Sequence, residues 1–227
     1  MIYVTGDIHA PIDTPKLNTT QWPEQKHLTR NDYLVVCGDM GLVWDGSNTD
    51  KFWQRWFEDK PFTTLFVDGN HENHPMLAQY PVEEWKGGKV HKVQSHVLHL
   101  MRGQVFDIDG TTLFAMGGAS SHDKEYRVEG LSWWPEELPS DAESEEAIKN
   151  LEANNWQVDL VVSHCTADSV QERLAYWYEH DKLTNFFEAV VHDKLDYRHW
   201  YFGHYHHDTD VDALHTCLYQ RIEQVRL

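Results

Sequence analysis

The sequence predicts an α/β fold with parallel strands, and three observations point there. Short apolar runs alternate with one amphipathic helix through the first third of the chain, in the order strand, loop, strand, helix, strand. Those runs are four or five residues long and mostly apolar, without alternating polar positions, the pattern of strands covered on both faces. Each ends where Asp, His or Asn follows, and in open α/β sheets ligand sites gather beyond the carboxyl ends of strands.

Residues 2–5 form a β-type run broken at Gly6. Residues 10–30 carry Pro11, Pro15 and Pro23 among Asn, Thr and Gln, the chemistry of a functional loop rather than a connector. Residues 33–37 form the second strand, broken by Gly38. Between Asp50 and Asp59, Phe52, Trp53, Trp56 and Phe57 recur at helical spacing; the stripe reads as core, and Pro61 stops the helix. Residues 63–67 form the third strand, and a short helix is expected within residues 73–81.

From residue 90 to 115 the pattern changes to short β runs, with Asp109-Gly110 as a hairpin turn. This part reads as antiparallel, either a second sheet or an edge of the first. Residues 117–139 lack periodicity and hold Ser120, Ser121, His122, Asp123, Lys124, Arg127, Trp133 and Trp134, the profile of a functional or mobile stretch. Ser140-Asp141-Ala142-Glu143 is a capping box that opens a helix through Ile148 and Leu151. A strand over residues 158–162 leads to His164, and helices are expected over 167–180 and 184–195. A strand over 200–202 ends at Gly203-His204, and residues 213–225 close the chain as strands. No repeat, linker or low-complexity segment interrupts this order, so residues 1–227 read as a single domain.

With 41% hydrophobic and 13% aromatic residues, a chain of 227 residues packs a core rather than staying disordered. A formal net charge of −18 repels polyanions, which disfavours long duplex nucleic acid and anionic membrane surfaces as partners. Cys37, Cys165 and Cys217 are odd in number and far apart, which argues for a reducing compartment and against a disulfide framework. No signal-peptide pattern opens the chain and no apolar run reaches about 18 residues, so the reading is cytoplasmic, with no membrane span.

Five stretches share one construction, an apolar run followed at once by Asp or His. They are Thr5-Gly6-Asp7-Ile8-His9, Cys37-Gly38-Asp39, Phe66-Val67-Asp68-Gly69-Asn70-His71-Glu72, Val162-Ser163-His164 and Phe202-Gly203-His204-Tyr205-His206. With 16 histidines in the chain, any one of these alone reads equally well as a turn residue; five in order do not. The strand-end set Asp7, His9, Asp39, Asn70, His71, His164, His204 and His206 combines carboxylate, imidazole and amide oxygen. Those donors suit a borderline divalent ion such as Mn, Fe or Zn better than Mg or Ca. The absence of Cys argues against a structural zinc. The set is too large for one ion, and Asp39 could bridge two. Two ions about 3.5–4 Å apart generate hydroxide and stabilise the attacking and leaving oxygens of a phosphoryl displacement.

Taken in order, the motifs resemble those of the calcineurin-like metallophosphoesterases: Asp-x-His, Gly-Asp-x-x, Gly-Asn-His-Asp/Glu, a later His, and Gly-His-x-His. Here they stand as Asp7-Ile8-His9, Gly38-Asp39-Met40-Gly41, Gly69-Asn70-His71-Glu72, His164 and Gly203-His204-Tyr205-His206, spanning residues 5–207. The resemblance implies a two-sheet sandwich flanked by helices (α/β/β/α) with a dinuclear metal site at one edge. It implies that Asp7, His9, Asp39 and His206 hold one ion and that Asp39, Asn70, His164 and His204 hold the other. His71 is then a non-ligand that stabilises the transition state or protonates the leaving oxygen, tuned by an acidic partner. Protein Ser/Thr phosphatases of the superfamily carry Gly-Asp-x-x-Asp-Arg-Gly. Leu42 and Val43 occupy the second Asp and the Arg positions here, so the usual partner of His71 and the usual phosphate-binding Arg are both missing. Glu72 does match that branch, and Asp45 and Asp68 are the candidate substitutes for the partner.

The function these readings give is a metal-dependent phosphoesterase that hydrolyses phosphate monoesters by attack of a dimetal-bridging hydroxide. Two Mn ions are the expected cofactors, with Fe or Zn as alternatives. The substrate is a phosphorylated small molecule, a nucleotide or a phosphoprotein. The alternatives are a phosphodiesterase or nuclease acting on small or single-stranded nucleic acid, and a non-catalytic metal-binding module; the complete ligand set speaks against the last. A phosphate needs donors beyond the metals. Of the cations in the irregular stretch and beyond it, Arg127 is the main substrate-binding candidate, with His122 beside it. Trp133-Trp134 could stack a base or sugar, although such pairs more often pack a loop. Specificity is expected in residues 10–30 and 117–139. The remaining histidines, among them His74, His91, His99, His207 and His215, show no ligand spacing.

Overall fold

A computed structural model describes residues 1–226. The first half runs β1 (Ile2–Thr5), β2 (Tyr33–Val36), α1 (Asn48–Glu58), β3 (Thr63–Phe66) and α2 (His74–Leu77). Five strands follow: β4 (Val82–Trp85), β5 (Gly88–Gln94), β6 (Val97–Leu100), β7 (Gln104–Ile108) and β8 (Thr111–Met116). Then come α3 (Asp141–Ala153), β9 (Leu160–Ser163), α4 (Asp168–Ala175) and α5 (Lys182–Phe186). The chain finishes with β10 (His199–Phe202), β11 (Thr209–Asp210), β12 (His215–Cys217) and β13 (Ile222–Gln224).

These strands make two mixed sheets. The seven-stranded sheet has the order β13-β1-β2-β3-β6-β5-β4, with β1, β2, β3 and β6 parallel at its centre. The six-stranded sheet has the order β11-β12-β10-β9-β8-β7, with β8, β9, β10 and β12 parallel. Val4, Val35, Leu65 and Leu98 of the first sheet pack on Phe106, Leu113, Leu160 and Tyr201 of the second. The outer face of the first sheet is covered by Leu17, Trp22, Leu28, Phe57 and Phe62. The outer face of the second is covered by Ala147, Leu151, Val170, Leu183 and Phe187. The α/β/β/α sandwich that the resemblance implies is therefore present. Its central strands are buried on both faces, which is why β1, β2 and β9 read as mainly apolar runs and β3 carries only small threonines beside its Leu65 and Phe66.

The segment from 90 to 115 divides between the two alternatives. β5 and β6, with the unforeseen β4, extend the first sheet; the β7–β8 hairpin, turned at Asp109-Gly110, opens the second. Residues 10–30 are not an open loop. They form 3-10 turns at Thr14–Leu17 and Pro23–His27, and their Leu17, Trp22 and Leu28 belong to the core. The aromatic stripe of α1 is only partly core: Phe57 is buried, Trp53 and Trp56 are half-buried, and Phe52 is exposed. The inward face of α1 is completed instead by Asp50 and Gln54, whose side chains hold backbone groups of residues 42–46. That turns Phe52 outward. The expected helix over 184–195 is α5 followed by a π-helical turn, Phe187–His192, and the one over 167–180 ends at Ala175.

Candidate active site

The carboxyl ends of β1, β2 and β3 in one sheet and of β9 and β10 in the other meet at one edge of the sandwich, and the candidate ligands stand on the loops just beyond them. Asp39 is at the centre. Its Oδ2 lies 3.2 Å from His9 Nε2 and 3.3 Å from His164 Nε2, and its Oδ1 accepts the backbone N–H of His71 at 2.7 Å. His164 Nε2 is also 3.3 Å from Asn70 Oδ1, while its Nδ1 lies 2.7 Å from the Cys37 carbonyl oxygen and donates to it. That contact fixes the ring and turns Nε2 inward. Asn70 Nδ2 donates to Ser121 Oγ at 3.3 Å, and Ser121 is held in turn by the fully buried Glu137. The amide is thereby oriented with its oxygen towards His164.

Asp7 is fully buried. Its Oδ1 accepts the backbone N–H of His204 at 3.0 Å, but its Oδ2 has no hydrogen-bond partner. His206 Nε2 lies 3.0 Å from that oxygen without hydrogen-bond geometry, so the two point into a common space, as co-ligands of one cation do. An orphaned buried carboxylate oxygen is costly unless a cation meets it. Donor atoms of Asp7, His9 and His206 lie within 4.8 Å of one another, as do those of Asp7, Asp39 and His164, and those of His9, Asp39 and His71. The residues present therefore fit divalent ions with mixed oxygen and nitrogen ligation.

Electrostatics agree with that fit. Burial works against a charged His164, yet Asp39 and Asp7 outweigh it and push its pKa up to about 10. In the same way burial opposes a charged His9, and its hydrogen bond to Asp39 with the nearby carboxylates raises it to about 9. The carboxylates attract protons onto the same imidazole nitrogens that a metal would claim.

The backbone pays attention to side-chain placement here rather than to comfort. Among the described residues, eight non-glycine positions have positive φ, and four of them are His9, Asp39, His204 and His206. Such conformations are uncommon outside glycine and gather at functional sites. The loops also pass at van der Waals limits. A Cβ on Gly69 would lie 2.1 Å from Asp39 Oδ1, and one on Gly203 would lie 2.2 Å from Asp7 Oδ1.

His71 sits beside this cluster. Its Nε2 accepts from Arg127 Nη2 at 3.1 Å, and its ring meets those of His9 at 5.2 Å and Trp44 at 6.5 Å. Burial lowers its pKa, Asp39 opposes, and the Arg127 guanidinium lowers it further. Neither Asp45 nor Asp68 is its partner. Asp45 caps the N–H of Ser47, and Asp68 is buried against His99 and Arg102. Arg127 comes from the irregular stretch and is anchored by Asp123 at 2.6 Å and by the Ser132 carbonyl. His122 lies against His204, with the two Nε2 atoms 3.0 Å apart, and packs on Tyr178. Trp134 is buried edge-on against Trp44, and Trp133 lies under Lys124, so the pair packs the loop. Arg173 is engaged with Asp212 and the Val211 carbonyl.

Three residues contribute in ways to which the sequence assigned no role. Glu72 is fully buried and accepts the N–H groups of Met40, Gly41 and Gly69, tying the loop after β2 to the loop after β3. Lys16, only 4% exposed, donates to the carbonyls of Gly6, Asp7 and Tyr219 beneath the Asp7 loop. Trp44 walls the site beside His71. Glu72 had a signal in its place after Asn70-His71; Lys16 and Trp44 had none.

The sequence model of the calcineurin-like phosphoesterases matches residues 1–208, which take in every candidate ligand. No curated protein sequence matches the chain. A family match over most of the chain, a two-sheet sandwich and buried Asp/His clusters at the strand ends all agree: the chain belongs to the calcineurin-like phosphoesterase family, whose members are generally metal-dependent hydrolases.

Proposed function

We propose that the protein hydrolyses phosphate monoesters with the help of two divalent ions, Mn foremost and Fe or Zn as alternatives. Asp7, His9, Asp39 and His206 would hold one ion, and Asp39, Asn70, His164 and His204 the other. The observation that carries the reading is the double approach to Asp39 Oδ2, which His9 and His164 reach at 3.2 and 3.3 Å from opposite members of the set. When bound, such ions supply a nucleophilic oxygen at neutral pH and neutralise charge on the phosphoryl group.

The chain's own residues do the rest. Arg127 presents a planar donor fork, the group best suited to a phosphate oxygen, and it is a second source of positive charge for the dianion of a monoester. Its Nη2 stands 3.1 Å from His71 Nε2. A guanidinium drawn to phosphate releases that nitrogen, which is then free to carry a proton to the leaving oxygen. Glu72 and Lys16 keep the loops of Asp39 and Asp7 in register through backbone bonds. Cytoplasm is the compartment proposed, supported by three buried free thiols. No helix among the described residues is long and apolar enough to cross a membrane.

The test is hydrolysis of 4-nitrophenyl phosphate against bis(4-nitrophenyl) phosphate, each with Mn, Mg, Zn or no metal, beside Asp39→Asn. Metal-dependent turnover that favours the monoester and is abolished in the variant is the expected result. Diester preference would replace the monoester reading, bound metal without turnover would leave a binding module, and a chain that takes up no metal would overturn the proposal.

A further inference from the structure

We propose, resting on that reading, that the group esterified to phosphate carries a planar ring and that Trp44 is the residue that selects it. A cavity of about 390 Å³ is lined by His9 and His71 together with Ala10, Ile12, Gly41 and Trp44. Phosphate held at the strand-end cluster, with His71 beside the leaving oxygen, directs the leaving group into this space. The Trp44 indole lies within 25° of parallel to the His71 ring. Its face is therefore presented roughly parallel to that ring, 6.5 Å away between centroids, as a surface on which a ring leaving past His71 can lie. Ile12, 73% exposed, gives the same cavity a second apolar surface.

The indole is held ready rather than free. Trp134 meets it edge-on at 5.2 Å. Its backbone N–H donates to Asp50 Oδ2 at 2.8 Å, and its carbonyl accepts from Asn73 at 2.7 Å. Asp50 also accepts from the next two backbone N–H groups, so this buried carboxylate is consumed in shaping the turn. A prefixed flat apolar surface stacks rings of many kinds without needing matched hydrogen bonds. Among the described residues no Lys or Arg lines the cavity, whereas Asp45 and Asp50 do. A second phosphate, a sulfate or a polyanionic chain has nothing to meet there, and a small aliphatic alcohol leaves most of the indole uncovered.

The experiment compares Trp44→Leu and Trp44→Phe with the parent chain in Mn buffer on four monoesters: phenyl phosphate, ethyl phosphate, a nucleoside 5′-monophosphate and ribose 5-phosphate. Taking the variant-to-parent ratio for each substrate cancels the intrinsic reactivity of its leaving group. We expect Trp44→Leu to lower kcat/KM, mainly through KM, about tenfold more for an ester with a planar aromatic ring than for its counterpart without one, with Trp44→Phe recovering most of the loss. A selective loss confined to phenyl phosphate places the ring next to the ester oxygen; one confined to the nucleotide places it beyond a sugar; either supports the proposal. Equal losses on all four esters, or no loss, overturn it. Phenylphosphonate and ethylphosphonate separate this proposal from the hydrolytic reading, because they bind without an ester to cleave. Preference for the phenyl compound in calorimetry, abolished in Trp44→Leu, sustains the ring site even in a chain without turnover, and equal affinity for the two rejects it.

Discussion

Replacing Lys16 by methionine asks whether the edge that carries the candidate ligands depends on a buried strut from a segment with no candidate ligand of its own. Methionine keeps the length and apolar stem but offers no donor. In the parent chain the ammonium gives hydrogen bonds to Asp7 O at 2.6 Å, to Gly6 O at 3.1 Å and to Tyr219 O. A hydrogen bond to a charged group contributes roughly 1.5–3 kcal/mol. Against this stands burial of the ammonium, which, even after Asp7, Asp13 and Asp208 offset part of it, pulls the pKa down to about 8, a net cost of roughly 3 kcal/mol. Three bonds exceed that penalty by about as much again, so Lys16→Met should lose about 3 kcal/mol of stability. The same change frees the Gly6-Asp7 backbone, and divalent-ion affinity should fall at least about tenfold, in the range seen when groups that orient metal ligands are removed. Urea unfolding followed by tryptophan fluorescence reads the first quantity, and metal titration of the stripped chain reads the second. A loss below about 1 kcal/mol with unchanged affinity would mean that the three carbonyls find other donors and that Lys16 supports nothing.

Gly69→Ala should fold with its sheets intact yet fail to retain metal, because the new Cβ falls 2.1 Å from Asp39 Oδ1 and 2.7 Å from His164 Nε2. Elemental analysis of the purified variant checks this, and metal content equal to the parent's would refute it. Arg102→Met strands the buried Asp68 carboxylate, which Arg102 meets at 2.5 and 3.0 Å, and should cost about 3–5 kcal/mol. Adding Asp68→Asn should return part of that loss, and strict additivity in the double-mutant cycle would show that the pair is not coupled. Asp212 is partly exposed; desolvation raises its pKa, but the Leu214 N–H, His215 and Arg173 overcome this and bring it to about 2 from 3.8. Its folded-state pKa lies below the unfolded one, so its contribution is present above about pH 4 and disappears as pH falls towards 2. With solvent screening that contribution is about 1 kcal/mol. Asp212→Asn should therefore be less stable than the parent at pH 7, with the gap narrowing as pH falls through about 2, and a difference independent of pH would contradict the assignment.

The strands that lead to the candidate ligands stand out in the sequence because two features coincide on them. Each is covered on both faces and so is written mainly in apolar residues, and each ends where a candidate ligand begins. The same signal, absence of periodicity, misleads elsewhere. It marks residues 10–30 and 117–139 alike, yet the first supplies Leu17, Trp22 and Leu28 to the core, while the second sends Arg127 to His71 and Ser121 to Asn70. Periodicity reports regular structure and is silent on whether an irregular segment faces in or out. Contacts such as Lys16 to Tyr219 join residues 203 apart and leave no local trace.

The most instructive failure of a local rule concerns backbone conformation. Positive φ favours glycine, and a reader applying that preference would place glycine at the tight turns after β1, β2 and β10. His9, Asp39, His204 and His206 hold those conformations instead, with φ between 40° and 68°. Glycine there would relieve each turn by roughly 1–2 kcal/mol and remove the side chain that faces the cluster. The neighbouring glycines, Gly69 and Gly203, occur where the opposite holds: a side chain would collide with Asp39 or Asp7. Side chains kept at a conformational cost, beside positions stripped of side chains to let them meet, make sense only if the space between the carboxylates and imidazoles is itself the product of the fold. Local strain and local deletion then become two halves of one design, and neither is visible until the strand ends of both sheets are brought together.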